Sequence, residues 1–345
     1  MRVKPDFNEA SWRAKVEAVR PEELYAPHFK EGRFFNPWIA EESRGLASLL
    51  QWKLFSGRED GPVADEGFLP AVLPDTVKRI QAKPEGDFVV WVGHATFLMR
   101  LGSEYWLTDP MFSSRALLPK RKTPPALNAA DFKTLGIRRL NVMISHNHYD
   151  HLDRKSIESL PDDARFYVPL GLKAFIMDLG KRDVIEMDWW QKAAGDRGTE
   201  VVCLPVQHWS RRIGQAVNTT LWASFMVVTP SATVYFGGDS GYFIGYREIG
   251  RAYPGIDYAL MPTTAYRPRW FMHQAHMDID EAIDAFQDLK ARRFIPTQWG
   301  TFHLGDEPPG YPALDLKKRI ADRKLDASRF LIPNVGEIIT LPGKT

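Results

Sequence analysis

The chain has 345 residues, of which 44% are hydrophobic and 26% charged, and its formal net charge is +2. That balance describes a globular protein with a sizeable core; it excludes a disordered chain and argues against a nucleic-acid binder held mainly by a basic field. A single cysteine, Cys203, excludes an internal disulfide, and in the strand-like run Val201 to Leu204 it reads as a small buried apolar residue.

Residues 1–85 are rich in Pro, Arg, Glu and aromatics, show no run of strands, and read as an N-terminal extension packing on a core made by residues 86–345. The first twenty residues contain no apolar core of signal-peptide length, and no segment reaches about 18 uninterrupted apolar residues, so a soluble, cytoplasmic protein is expected. Within the extension, Leu46, Leu49, Leu50 and Leu54 recur at helical spacing, with Trp52 and Phe55 beside them. Such a face suits core packing, a homodimer contact, or a helix lying peripherally on the inner face of the membrane.

From Phe88 onward, strand-like runs alternate with loops and helices: Phe88 to Val92, Tyr105 to Thr108, Leu140 to Ser145, Arg165 to Val168, Val201 to Leu204, Val234 to Phe236 and Phe294 to Pro296. This is an α/β pattern. A helix is predicted over Ile279 to Leu289, where Ile279, Ile283 and Phe286 share one face behind the capping candidates Asp278 and Asp280.

The densest chemistry follows the third of these strands. Ser145-His146-Asn147-His148-Tyr149-Asp150-His151 places three imidazoles and a carboxylate in six positions, although the chain has only 9 histidines. Neutral imidazole and carboxylate suit Zn²⁺ and its first-row neighbours. The spacing fits two ions, His146 and His148 holding one while Asp150 and His151 reach a second about 3.5 to 4 Å away. The remaining ligands should come from other strand ends. His208 follows Val201 to Val206, Asp239 follows Thr233 to Phe236 behind Gly237 and Gly238, and Gln298 follows Arg293 to Pro296. A carboxylate can bridge two ions through its two oxygens, which makes Asp239 the candidate bridge. His94 in WVGHAT and Asp109 in LTDP also end strands, and both read as groups that orient ligands.

Together with GRFFNPW at 32–38, LTDPMFSSRA at 107–116, ISHNHYDHLD at 144–153, QHWSRR at 207–212, GGDSGY at 237–242, YRPRWFM at 266–272 and QWGTF at 298–302, these motifs resemble the metallo-β-lactamase superfamily. The likeness is to the branch of N-acylphosphatidylethanolamine-hydrolysing phospholipases D and their bacterial relatives. It implies an αββα sandwich and a zinc-dependent phosphodiesterase using a metal-bound hydroxide. It assigns His146, His148 and His208 to the first metal, Asp150 and His151 to the second, and Asp239 to the bridge. His276, in AHMDIDEA, resembles the family histidine near the substrate phosphate and is a candidate to stabilise charge or protonate the leaving oxygen.

One departure stands out. Where the family supplies a second-site histidine from HWGTF, this chain has Gln298. An amide oxygen is a weaker zinc ligand than imidazole, so the position is open to Gln298 itself, to His303, or to water, and the second ion to Mn²⁺ or Fe²⁺. For a phospholipid substrate, Arg115, Lys120, Arg121 and Lys122 are candidates for headgroup contacts and Phe34, Phe35 and Trp38 for acyl contacts. Two other readings fit the same motifs: a soluble lactonase or phosphoesterase of a small metabolite, and a metal-stabilised binding protein without catalysis.

Overall fold

A computed structural model describes residues 7–40, 51–52, 67–83 and 86–342. Strands β1 (Phe29–Lys30) and β2 (Arg33–Phe34) form a small hairpin. A first large sheet contains β3 (Phe88–Gly93), β4 (Thr96–Leu101), β5 (Glu104–Thr108), β6 (Leu140–Met143), β7 (Arg165–Pro169) and β8 (Asp183–Met187). A second contains β9 (Lys192–Ala194), β10 (Glu200–Leu204), β11 (Ser224–Val228), β12 (Thr233–Phe236), β13 (Tyr258–Pro262) and β14 (Arg293–Thr297). The last strand, β15 (Ile338–Thr340), returns to pair with β3 at the edge of the first sheet.

Side-chain alternation explains how these strands stack into layers. Along β3, Val89 and Trp91 enter one apolar cluster while Phe88, Val90 and Val92 enter another. The same division separates Met143 from Val142 on β6 and Tyr167 from Phe166 on β7. Successive residues of a strand face opposite sides, so a sheet covered on both faces is apolar at every position. The first cluster fills the space between the sheets, where Val89, Trp91 and Met143 join Cys203, Phe225 and Phe236 of the second sheet, and it continues onto that sheet's far face. The other lies between the first sheet and its helices, Phe132 and Ile157 among them. On the far side of the second sheet pack the helices Gly245–Ala252, Ile279–Asp288 and Tyr311–Asp322. The result is the expected αββα sandwich.

The helix predicted from Ile279 is present, with Asp278 as its N-cap accepting from the Glu281 N–H at 2.9 Å and Ile279, Ile283 and Phe286 buried. Residues of the N-terminal segment pack on the main core, Trp12, Val16 and Leu24 among them. The helix expected over residues 44–55 lies outside the described residues, apart from Gln51 and Trp52. Trp52 is buried against Ala265 and Met272, and its Nε1 donates to Asp306 at 2.9 Å. Among the described residues, no helix is long and apolar enough to cross a membrane.

Two expectations about the surface change. Phe34 and Trp38 are 6% and 4% exposed and belong to the central core, so they are not available to acyl chains. Arg121 is also buried: its guanidinium donates to the carbonyls of Ser113, Thr123 and Met111 and lies over the Phe302 ring, which commits it to loop structure rather than to a headgroup.

Candidate metal centre

Six connections emerge at one rim of the sandwich: those following β3, β5, β6, β10, β12 and β14. They carry His94, Asp109, the His146–His151 segment, His208, Asp239 and Gln298 respectively. Strands β5, β6 and β7 run parallel in one sheet and β12, β13 and β14 parallel in the other, so the ends of non-neighbouring strands converge there.

The segment after β6 turns tightly, with the His151 and Leu152 N–H groups both donating to the His148 carbonyl. That turn separates the side chains into two groups. His146, His148, His208 and Asp239 form one, each offering a ligand atom within 4.8 Å of the others. His94, Asp150 and His151 form the second by the same measure. Asp239 stands between them: its Oδ2 is 3.8 Å from His146 Nε2 and 3.6 Å from His208 Nε2, while its Oδ1 is 3.2 Å from His151 Nε2. Close approach here depends on Gly238, at φ +59, where an added Cβ would lie 2.7 Å from the Ser145 Cβ.

Neighbouring groups fix the rings. Asp109, fully buried at the end of β5, accepts from the Ser145 N–H at 2.7 Å, from Ser145 Oγ at 2.6 Å and from His151 Nδ1 at 2.6 Å. His208 donates from Nδ1 to the Ala275 carbonyl at 3.0 Å, leaving Nε2 for the cluster. His94 Nε2 lies 3.0 Å from Asp150 Oδ2. Asp109 thus contacts His151 and His94 contacts Asp150, each a residue of the histidine segment.

Electrostatically the site is prepared for a cation. Burial, reinforced by their mutual proximity, pushes His146 and His208 well below the ordinary imidazole range and His148 down to about 4, so their nitrogens present lone pairs. Yet His148 Nδ1 is 2.8 Å from His146 Nε2 and 3.2 Å from His208 Nε2, and one proton cannot satisfy three lone pairs. Burial opposes charge on Asp150 and Asp239 too, but the histidines around them hold both carboxyls well below their usual range. His151 is the converse: burial disfavours its charge, but Asp239, Asp150 and the bond to Asp109 raise it well above the ordinary value. Neutral imidazoles facing ionised carboxylates at close range fit a divalent metal ion.

Gln298 takes a different posture from the one its position suggested. Its amide nitrogen donates to the Gly238 carbonyl at 3.2 Å and to Asp239 Oδ1, so the nitrogen rather than the oxygen faces the carboxylate. His303 is exposed and belongs to neither ligand group.

Comparison with known proteins identifies the family. The beta-lactamase superfamily domain profile matches residues 105–299. N-acyl-phosphatidylethanolamine-hydrolyzing phospholipase D 1 of Caenorhabditis elegans is 30% identical over 333 residues, 90% of this chain and 91% of that one. The chain belongs to the metallo-β-lactamase superfamily. As a member it is a metal-dependent hydrolase in class. An uncharacterized protein of Mycobacterium tuberculosis is 33% identical over 87% of this chain and 81% of its own length. Igni18, a metallo hydrolase from the archaeon Ignicoccus hospitalis, shares the fold, with a TM-score of 0.56 at 19% identity over 75% of this chain and 99% of its own.

In this superfamily member the cluster floors an open cavity of about 520 Å³. His148, Asp150, Asp239, His276 and Gln298 line its polar end. His276 is half-buried, with its ring centroid 5.2 Å from that of His208. Toward the mouth stand Leu117, Leu118, Trp209 and Ile213, exposed at 47, 76, 38 and 75%. These mouth residues were not singled out from sequence. The signal available was the apolar-and-basic run WSRRI that begins immediately after His208.

Proposed function

We propose that the protein is a zinc-dependent phosphodiesterase that hydrolyses N-acylphosphatidylethanolamine, releasing phosphatidic acid and an N-acylethanolamine. The observation that carries this reading is the apolar mouth of the cavity. Leu117, Leu118, Trp209 and Ile213 are large, exposed and gathered at the entrance to a polar floor. A soluble protein hides such a group unless it contacts lipid or a partner. The extended similarity to a relative named for this activity supports the same substrate class.

His146, His148, His208 and Asp239 would hold one zinc ion, and Asp150, His151 and Asp239 a second, with Mn²⁺ or Fe²⁺ acceptable there. When bound, the ions supply Lewis acidity and lower the pKa of water from 15.7 toward about 7. Asp109 and the Ala275 carbonyl hold His151 and His208 in the required tautomers. Gln298 fixes the Asp239 carboxylate between the two groups. A ring nitrogen of His276, beside His208 at the cavity floor, would give a proton to the leaving ethanolamine oxygen. The apolar mouth would lie against the membrane surface, keeping acyl chains out of water while the phosphate reaches the floor.

The test is release of phosphatidic acid from N-acylphosphatidylethanolamine in mixed micelles, with protein loaded in turn with Zn²⁺, Mn²⁺ or Fe²⁺. No release with any metal, from protein whose metal content has been measured, would sink the lipase reading. Turnover of small lactones or phosphoesters alone would move the assignment to a soluble metabolite hydrolase.

A further inference from the structure

The loop that carries Gln298 leaves the second group one imidazole short, and the structure offers another. His94 is completely buried, and its Nε2 reaches Asp150 Oδ2 at 3.0 Å from 56 positions away in sequence. His94, Asp150 and His151 each present a ligand atom within 4.8 Å of the others.

Two local features deliver His94 to this place. The β3–β4 hairpin ends on it, with its backbone in the left-handed region at φ +55. The Gln298 N–H then donates to the His94 carbonyl at 3.0 Å, joining the hairpin tip to the loop where the family histidine would stand. The Gln298 amide, meanwhile, spends its nitrogen on the Gly238 carbonyl and on Asp239. An amide held in that way cannot turn its oxygen to the same point.

We propose that His94 is a ligand of the second metal ion, completing with Asp150, His151 and Asp239 the shell that Gln298 does not fill. Gln298 then acts on Asp239 rather than on the ion. This inference rests on the two-ion reading of the site, but not on the identity of the substrate.

The experiment measures metal rather than turnover. Full-length protein is loaded with zinc, desalted and analysed by plasma mass spectrometry. Wild type is expected to hold about two ions per chain, His94→Ala about one, and Gln298→Ala about two. A His94→Ala/Gln298→His double variant should return to about two, and circular dichroism spectra matching wild type exclude misfolding as the cause of a loss. Protein loaded with cadmium-113 and labelled with nitrogen-15 histidine separates ligation from positioning. A bound ring nitrogen carries a one-bond cadmium coupling, which a hydrogen bond to Asp150 does not produce. Couplings are expected at His94, His146, His148, His151 and His208, with the His94 signal absent from His94→Ala. Two zinc ions in His94→Ala, or an uncoupled His94 in two-metal wild type, overturns the His94 assignment alone. A wild type holding one ion overturns the two-ion reading and the inference with it.

Discussion

His151 and Asp109, both completely buried, share a 2.6 Å hydrogen bond between Nδ1 and Oδ2. The same carboxylate also takes both donors of Ser145. It thereby ties the end of β5 to the start and the end of the histidine segment. In Asp109→Asn, an amide NH₂ replaces one oxygen and sets donor against donor in a dry site. The variant is expected to lose about 1–3 kcal/mol of stability in urea unfolding. Zinc affinity should fall roughly 10- to 100-fold, read by competition with a chromogenic chelator. Unchanged affinity would mean that Asp109 serves folding alone.

His276 lies at the cavity floor but outside both ligand groups. His276→Ala is therefore expected to keep its full zinc content while phosphodiester turnover drops by roughly 10² to 10⁴. Steady-state kinetics on metal-analysed protein measures this. Wild-type turnover would remove His276 from the mechanism.

Acid should unfold the metal-free protein through its buried imidazoles. His148 titrates near 4 in the folded state, against an ordinary value of 6.5. Between those values the unfolded chain binds more protons than the folded one, so stability rises with pH across that window and is lost as pH falls through it. His146 and His208 act in the same direction. His151 has the opposite sign: its raised value contributes stability below the ordinary imidazole pKa, and that contribution is lost as pH rises through the folded value. Urea midpoints of chelator-treated protein at pH 4 to 7 should therefore climb with pH. A flat profile would contradict the burial of neutral imidazoles.

The mouth of the cavity can be tested apart from its floor. Leu118 and Ile213 are 76% and 75% exposed, so a Leu118→Asp/Ile213→Asp variant should change stability by no more than about 0.5 kcal/mol per site. Turnover of micellar phospholipid and sedimentation with anionic vesicles are both expected to fall at least about tenfold, because two carboxylates replace two apolar contacts. Turnover of bis(p-nitrophenyl) phosphate should stay at the wild-type level. Equal loss on both substrates would place the damage at the floor instead.

Local pattern made much of this protein legible. The run from His146 to His151 announces metal because its ligands are sequence neighbours, and a tight turn is enough to part them into two groups. His208 and Asp239 could be found because each follows a readable strand, β10 or β12. Strands such as β4 and β13 were not picked out from sequence. Within the basic stretch from Arg115 to Lys122, Arg121 is the residue that misled. Composition reports charge but not direction, and Arg121 turns inward to carbonyl groups.

What the sequence by itself determined was the family, the layered fold and the set of side chains able to meet a metal, because these depend on residue type, strand period and short spacings. Only the tertiary structure decided which of them share a point in space. His94 and Asp150 meet from opposite sides of 56 residues, and Gln298 presents its nitrogen because Gly238 and Asp239 both offer oxygen there. Contacts of that kind depend on how strand ends from two sheets converge, which no short window of sequence records.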